Sequence, residues 1–196
     1  DPEMSRGLGD VYKRQNMDSS KELIIITGVS GAGKSSAMAF MEDAGYYCID
    51  NMPPELMSTF VSLLANNSEY YPKVAMVVDI RSGYVFEKII ASIDSVEQYG
   101  YTCKIVYLDI NDTEALKRYK LTRRKHPFAD KFNGNIQNAL DYEREILAPL
   151  RLKADHIIDT SGIDTHQLRA RLTELLMGDA KELSLIHISE PTRHLR

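Results

Sequence analysis

The 196-residue chain has no tryptophan, only two cysteines, and no apolar run approaching the roughly 20 residues that a membrane-crossing helix needs. Cys48 and Cys103 stand alone in apolar stretches, which excludes a C-x-x-C redox or zinc motif and predicts two reduced core thiols. Basic charge is not in excess either: 24 Lys and Arg oppose 28 Asp and Glu, a net charge of -4. The chain as a whole is therefore not a bulk polyanion binder, and any phosphate contact has to come from a local patch. At 43% hydrophobic residues it is not intrinsically disordered, and its length suits one α/β domain.

The two ends differ from the middle. Residues 1–16 (DPEMSRGLGDVYKRQN) and 184–196 (SLIHISEPTRHLR) show neither helical nor strand period. DVYKRQ and SLIHISEPTR look like translated sequencing-adapter DNA, so both segments are expected to be non-native tails around a domain at 17–183. A natural flexible tail at each end is the alternative. Residues 1–16 carry charges throughout and no apolar stretch, unlike a signal peptide, and a cytoplasmic location is expected.

The middle alternates short β-rich runs with helical periods. Strands are predicted at Leu23–Thr27, Tyr46–Asp50, Val74–Asp79, Lys104–Asp109 and His156–Asp159. Helices are marked by Ala37, Phe40, Met41 and Ala44 up to Gly45, and by Leu56, Phe60 and Leu63 after Pro53-Pro54. Others follow from Phe86, Ile89, Ile90 and Ile93, from a capping-box-like Asn111 and Glu114, from a segment over about 136–150, and from Leu168, Leu172, Leu175 and Leu176 up to Gly178. Five strands separated by helices predict an α/β fold with a doubly wound parallel sheet.

In such sheets chemistry gathers beyond the carboxyl ends of the strands. There Gly28-Val29-Ser30-Gly31-Ala32-Gly33-Lys34-Ser35 matches G-x-x-x-x-G-K-[ST], after a strand and before a helix, which is the context the motif requires. Glycines let the backbone approach phosphates, so that N–H groups and the helix N-terminus face the negative charge. Lys34 would neutralise the β- and γ-phosphates, and the Ser35 hydroxyl would ligate Mg²⁺. Asp79, ending an apolar strand, is the second candidate metal and catalytic residue; a strand-end loop cap is its bland alternative.

Arg81 is a candidate phosphate contact or a surface residue. Asp50 either orients an acceptor hydroxyl or merely closes a turn. Lys117, Arg118, Lys120, Arg123, Arg124, Lys125 and Lys131, opposed only by Asp130, form a basic segment between the fourth and fifth strands. It reads as a solvated face or as a mobile lid, with Arg123 and Arg124 as phosphate clamps. His126, before Pro127, reads as structural.

GVSGAGKS, AGYYCIDNMPP, VVDIRS, RYKLTRRKHPF and EREILAPLRLKADHIIDTS follow in an order and spacing that resembles the RapZ/YvcJ family of bacterial nucleotide-binding proteins, over nearly all of residues 22–183. The resemblance implies a P-loop kinase-like N-terminal domain that binds and slowly hydrolyses ATP and GTP with Mg²⁺. ATP would lie on Gly28 through Ser35, and a second nucleotide stretch, for GTP, falls on Asp79-Ile80-Arg81-Ser82. The family often has Asn where Ser82 stands, and Ser keeps a short hydrogen-bonding side chain there. Family members continue into a C-terminal half that, in the RNase adapter branch, looks like the part that binds small RNA and presents it to a ribonuclease. RNA and ribonuclease binding are accordingly expected only of the longer protein, and homo-oligomerisation stays open. Two other readings stay in play: a small-molecule kinase in which Asp50 activates an acceptor, and a nucleic-acid adapter module acting through residues 117–131.

Overall fold

The computed structural model describes residues 21–78, 85–122 and 125–188. Five strands, β1 (Lys21–Gly28), β2 (Tyr47–Met52), β3 (Lys73–Val78), β4 (Tyr101–Asp109) and β5 (His156–Asp159), form one sheet in the order β2-β3-β1-β4-β5. Every pairing is parallel. The helices are α1 (Lys34–Asp43), α2 (Met57–Asn66), α3 (Val85–Gln98), α4 (Asp112–Thr122), α5 (Ile136–Lys153) and α6 (Thr165–Ile188). Short 3-10 turns at Pro54–Leu56 and Asp130–Phe132 lead into α2 and α5.

The central strand β1 reads Leu-Ile-Ile-Ile because both of its faces are covered, and Leu23 to Ile26 are all buried. Val74–Val78 on one side and Ile105–Leu108 on the other complete the core. The register pairs Ile26 with both Val77 and Val106, so β1, β3 and β4 end level with one another. The chain leaves β1 toward β2 and leaves β4 toward β5, in opposite directions. A crevice opens beyond the carboxyl ends of these two neighbours, at the place where open α/β sheets hold ligands. No helix among the described residues is long and apolar enough to cross a membrane.

The expected strands and helices are all present, with shifts. β4 begins at Tyr101 rather than Lys104, and β2 runs past Asp50 to Met52 across an irregularity between Ile49 and Met52. In α2 the buried face is Met57, Val61 and Leu64, while Leu56 and Leu63 of the expected face are 53% and 44% exposed. Two apolar stripes with the same spacing run one residue apart there, and the 3-10 turn through Leu56 decides between them by starting the helix at Met57. The last helix passes Gly178 and continues to Ile188, since one glycine costs a helix only about 1 kcal/mol. Cys103 is embedded beside β1, and burial pushes its thiol up to about 12, in keeping with an inert core cysteine.

β1 ends on Gly28, whose φ is +133° and where an added Cβ would lie 2.0 Å from the Leu108 carbonyl oxygen of β4. Both the backbone angle and the space exclude a side chain. Gly28→Ala is expected to lower the free energy of unfolding in urea by at least about 2 kcal/mol. An unchanged unfolding midpoint would contradict this placement.

Candidate functional site

Residues 28–35 connect β1 to α1 as a loop pinned at its start by the bond from Val29 N–H to the Leu108 carbonyl, 3.2 Å. Gly33, at φ +96°, caps α1 and, having no side chain, supplies no acceptor of its own to the first-turn N–H groups of the helix. Such an end attracts an anion. Lys34 folds back along the loop, its Nζ donating to the carbonyls of Gly28 at 2.5 Å and Val29 at 3.1 Å. Ser35 is exposed in the first turn of α1.

Beside this loop lies an open cavity of about 700 Å³, bounded by Ser30–Ser36, by Arg118, Tyr119 and Thr122 of α4, by Thr160, Ile163 and Asp164 between β5 and α6, and by Thr165 and Leu168 in the first turn of α6. Arg118 ties its walls together. One guanidinium nitrogen donates to the Gly31 carbonyl at 3.0 Å, and the other to the Thr160 carbonyl at 2.7 Å. A planar fork bonded along its edge leaves its faces for stacking. The lip formed by α6 is fixed by Asp164 and Gln167, each of which accepts from the other's backbone N–H.

On the other side of the loop stands a buried carboxylate. Glu143, in the middle of α5, accepts from Ser30 N–H at 2.9 Å and from the Ser30 hydroxyl at 2.5 Å. His126 Nε2 lies 3.2 Å from the same carboxylate, and both residues are at most 5% exposed. Phe128 N–H donates to His126 Nδ1, which assigns the ring proton to Nε2 and makes it a donor to Glu143. Burial alone would raise the Glu143 carboxyl; the bond from His126, the charge of Lys34 and the two bonds from Ser30 outweigh it and hold the group below the usual carboxylate range. Tyr119 packs its ring 5.3 Å from His126, and burial pushes its hydroxyl up to about 12.

Of the predicted phosphate loop, Ser30 through Ser35 line the cavity, while Gly28 and Val29 lie buried behind them at the end of β1. Asp79, Ile80, Arg81 and Ser82 lie outside the described residues, directly after β3, and Arg123 and Arg124 lie outside them after α4. Asp50 is exposed next to Asn51, whose φ is +53°. Of the basic segment, Lys117 pairs with Glu114, Lys125 with Asp130, and Lys131 sits 3.5 Å above the Tyr142 ring. Among the described residues no three His, Cys, Asp or Glu side chains form a metal-binding group. Sequence reasoning passed over Arg118 in favour of its neighbours and did not single out Glu143. A signal for Glu143 existed: it falls on the buried stripe Ala139, Leu140, Glu143, Leu147, Leu150, where a carboxylate requires partners.

The model of the RapZ-like N-terminal domain matches residues 21–180. A nucleotide-binding protein of Alkaliphilus oremlandii is 42% identical over 165 residues, which are 84% of this chain and 56% of that protein. A nucleotide-binding protein of Finegoldia magna is 43% identical over 151 residues, 77% of this chain and 52% of that one. The chain spans little more than half the length of these curated relatives. Among solved structures, the Bacillus subtilis YorR protein in complex with phosphorylated GDP superposes with a TM-score of 0.54 at 16% identity, covering 81% of this chain and 98% of that one. The tunicamycin resistance protein of Deinococcus radiodurans superposes at 0.51 with 17% identity, covering 80% and 95%. At such identities the likeness is one of fold.

Because the Glu143 carboxyl is held low, its ionised form stabilises the folded chain above the ordinary carboxylate pKa, and that contribution fades as pH falls through the lower folded-state value. Glu143→Gln is expected to cost about 2 kcal/mol near neutral pH in urea unfolding, with the gap to the parent closing in acid. A gap that is constant with pH contradicts an ionised Glu143.

Proposed function

The chain belongs to the RapZ-like N-terminal domain family, and on that premise we propose that it is a nucleotide-binding domain taking ATP or GTP on Gly28–Ser35 and hydrolysing it slowly with Mg²⁺. The observation that carries this reading is the start of α1, capped by a glycine that offers no side-chain acceptor, beside a cavity of about 700 Å³ roomy enough for a nucleoside. The backbone N–H groups of the loop receive the phosphates, and the base enters the cavity, where Arg118 offers a flat guanidinium face. Lys34 exchanges its carbonyl partners for the phosphate chain, which supplies a full opposite charge in place of two dipoles.

Mg²⁺ suits the residues present. The ion commonly keeps several waters and binds through one or two protein groups plus substrate phosphates, and the exposed Ser35 hydroxyl next to Lys34 is such a group. Bound there, it would neutralise charge developing on the phosphates. Asp79 is the second proposed metal-side and water-orienting residue. Ile80, Arg81 and Ser82 extend the nucleotide contact, and Arg123 and Arg124 clamp phosphates. Among the described residues most cations of the 117–131 segment are held by partners of this chain, which speaks against that segment as an RNA surface. RNA and ribonuclease binding are proposed for the longer relatives' remaining half, and a cytoplasmic location for the protein. Asp50, exposed at the end of β2 on a fold shared with kinases, favours a second reading: transfer of the γ-phosphoryl group to a hydroxyl acceptor.

Titration calorimetry with Mg·ADP is expected to show binding that weakens at least about tenfold in Lys34→Ala, at a temperature where circular dichroism shows the variant folded. Equal affinity in the variant refutes the loop assignment. Phosphate release from Mg·ATP is expected to be slow, to stop on chelation and to fall in Asp79→Asn. A large rise in turnover on adding a hydroxyl acceptor would instead select the kinase reading.

A further inference from the structure

We propose that Glu143 is a positioning residue for the nucleotide site: it clamps the third residue of the phosphate loop and, through His126, ties the loop's shape to the segment that follows α4. The proposal rests on the nucleotide-binding reading of that loop.

The carboxylate receives three donors at once, Ser30 N–H at 2.9 Å, the Ser30 hydroxyl at 2.5 Å and His126 Nε2 at 3.2 Å. It is 5% exposed and does not line the cavity. A group so enclosed touches no nucleotide and takes no proton from water in the cavity; what it controls is Ser30. With the Ser30 N–H committed to α5 and that of Ala32 to the Val29 carbonyl at 3.0 Å, the phosphates are left the N–H groups of Gly31 and of Gly33 through Ser35.

The need for such a clamp follows from the loop's own composition. Gly28, Gly31 and Gly33 all sit at positive φ, so the free loop has many conformations to lose when it closes on a ligand. Bonding Ser30 to a buried residue of an 18-residue helix fixes the loop before the ligand arrives, and ordering done in advance does not weaken binding. His126 extends the clamp outward. Its Nδ1 accepts from Phe128 N–H, so its Nε2 proton is pinned on Glu143, and the backbone just beyond α4 is held to the same carboxylate as the phosphate loop. A leucine of similar size removes both acceptor oxygens, whereas a glutamine keeps an oxygen for Ser30 N–H and His126 and can turn its amide nitrogen to the Ser30 hydroxyl, which then accepts.

Binding of Mg·ADP is measured on the full chain at a temperature where circular dichroism shows each variant folded. Glu143→Leu is expected to bind about tenfold more weakly than the parent. Combined with Ser30→Ala it is expected to lose less than the product of the single losses, a coupling that general destabilisation would not produce. A parent that binds ADP while Glu143→Leu binds equally well overturns the clamp and leaves the nucleotide reading standing. A parent that binds no nucleotide overturns that reading and the clamp with it. In the parent, amide NMR offers a test free of the variant's folding: the Ser30 N–H is expected to stay downfield and protected with and without Mg·ADP, and its release on ADP addition overturns the proposal.

Discussion

The close approach of two parallel strands governs this molecule. Where β1 ends, the Gly28 backbone lies against the Leu108 carbonyl of β4 with no room for a Cβ, and the next N–H, that of Val29, bonds to the same oxygen. The chain therefore leaves the sheet at a fixed point and angle, into the crevice that the strand order opens. The start of α1, the fold-back of Lys34 and the bond from Arg118 to the Gly31 carbonyl are all set relative to that exit.

From there the loop is held on two sides by different physics. Arg118 joins the Gly31 carbonyl to those of Thr160 and Ile163, a charged donor serving main-chain acceptors that would otherwise be unpaired at the rim of a cavity. Glu143 does the reverse on the inner side, a buried anion serving donors. A buried carboxylate is tolerable only when its lone pairs are filled, and Ser30, His126 and the field of Lys34 fill that need. Between the two anchors the loop runs into α1 through Gly33, which brings no side chain to the helix start.

Much of this was legible in the sequence. The aliphatic run of β1, the glycines after it and Lys34 at the head of a helix announce a strand, a turn and an anion site through local chemistry alone, and Asn111 does cap α4 by accepting from Glu114 N–H. What was not legible depends on distance along the chain. Glu143 meets Ser30 across 113 residues, and Arg118 meets Thr160 across 42, so no local period reveals either pair. In α2 the failure was different: stripes through Leu56 and through Met57 have the same spacing, and the turn before the helix chooses. Nor do charge counts show partners: in the basic segment Lys125 and Lys131 face Asp130 and the Tyr142 ring.

A crystal structure of the chain with Mg²⁺ and ADP tests the preformed loop most directly. The phosphates are expected among the N–H groups of Gly31 and of Gly33 through Ser35, with Lys34 Nζ moved from the Gly28 and Val29 carbonyls to the phosphate chain, and with Ser30 still bonded to Glu143. Nucleotide bound away from the loop, or Lys34 still on its own carbonyls with the nucleotide in place, would contradict it.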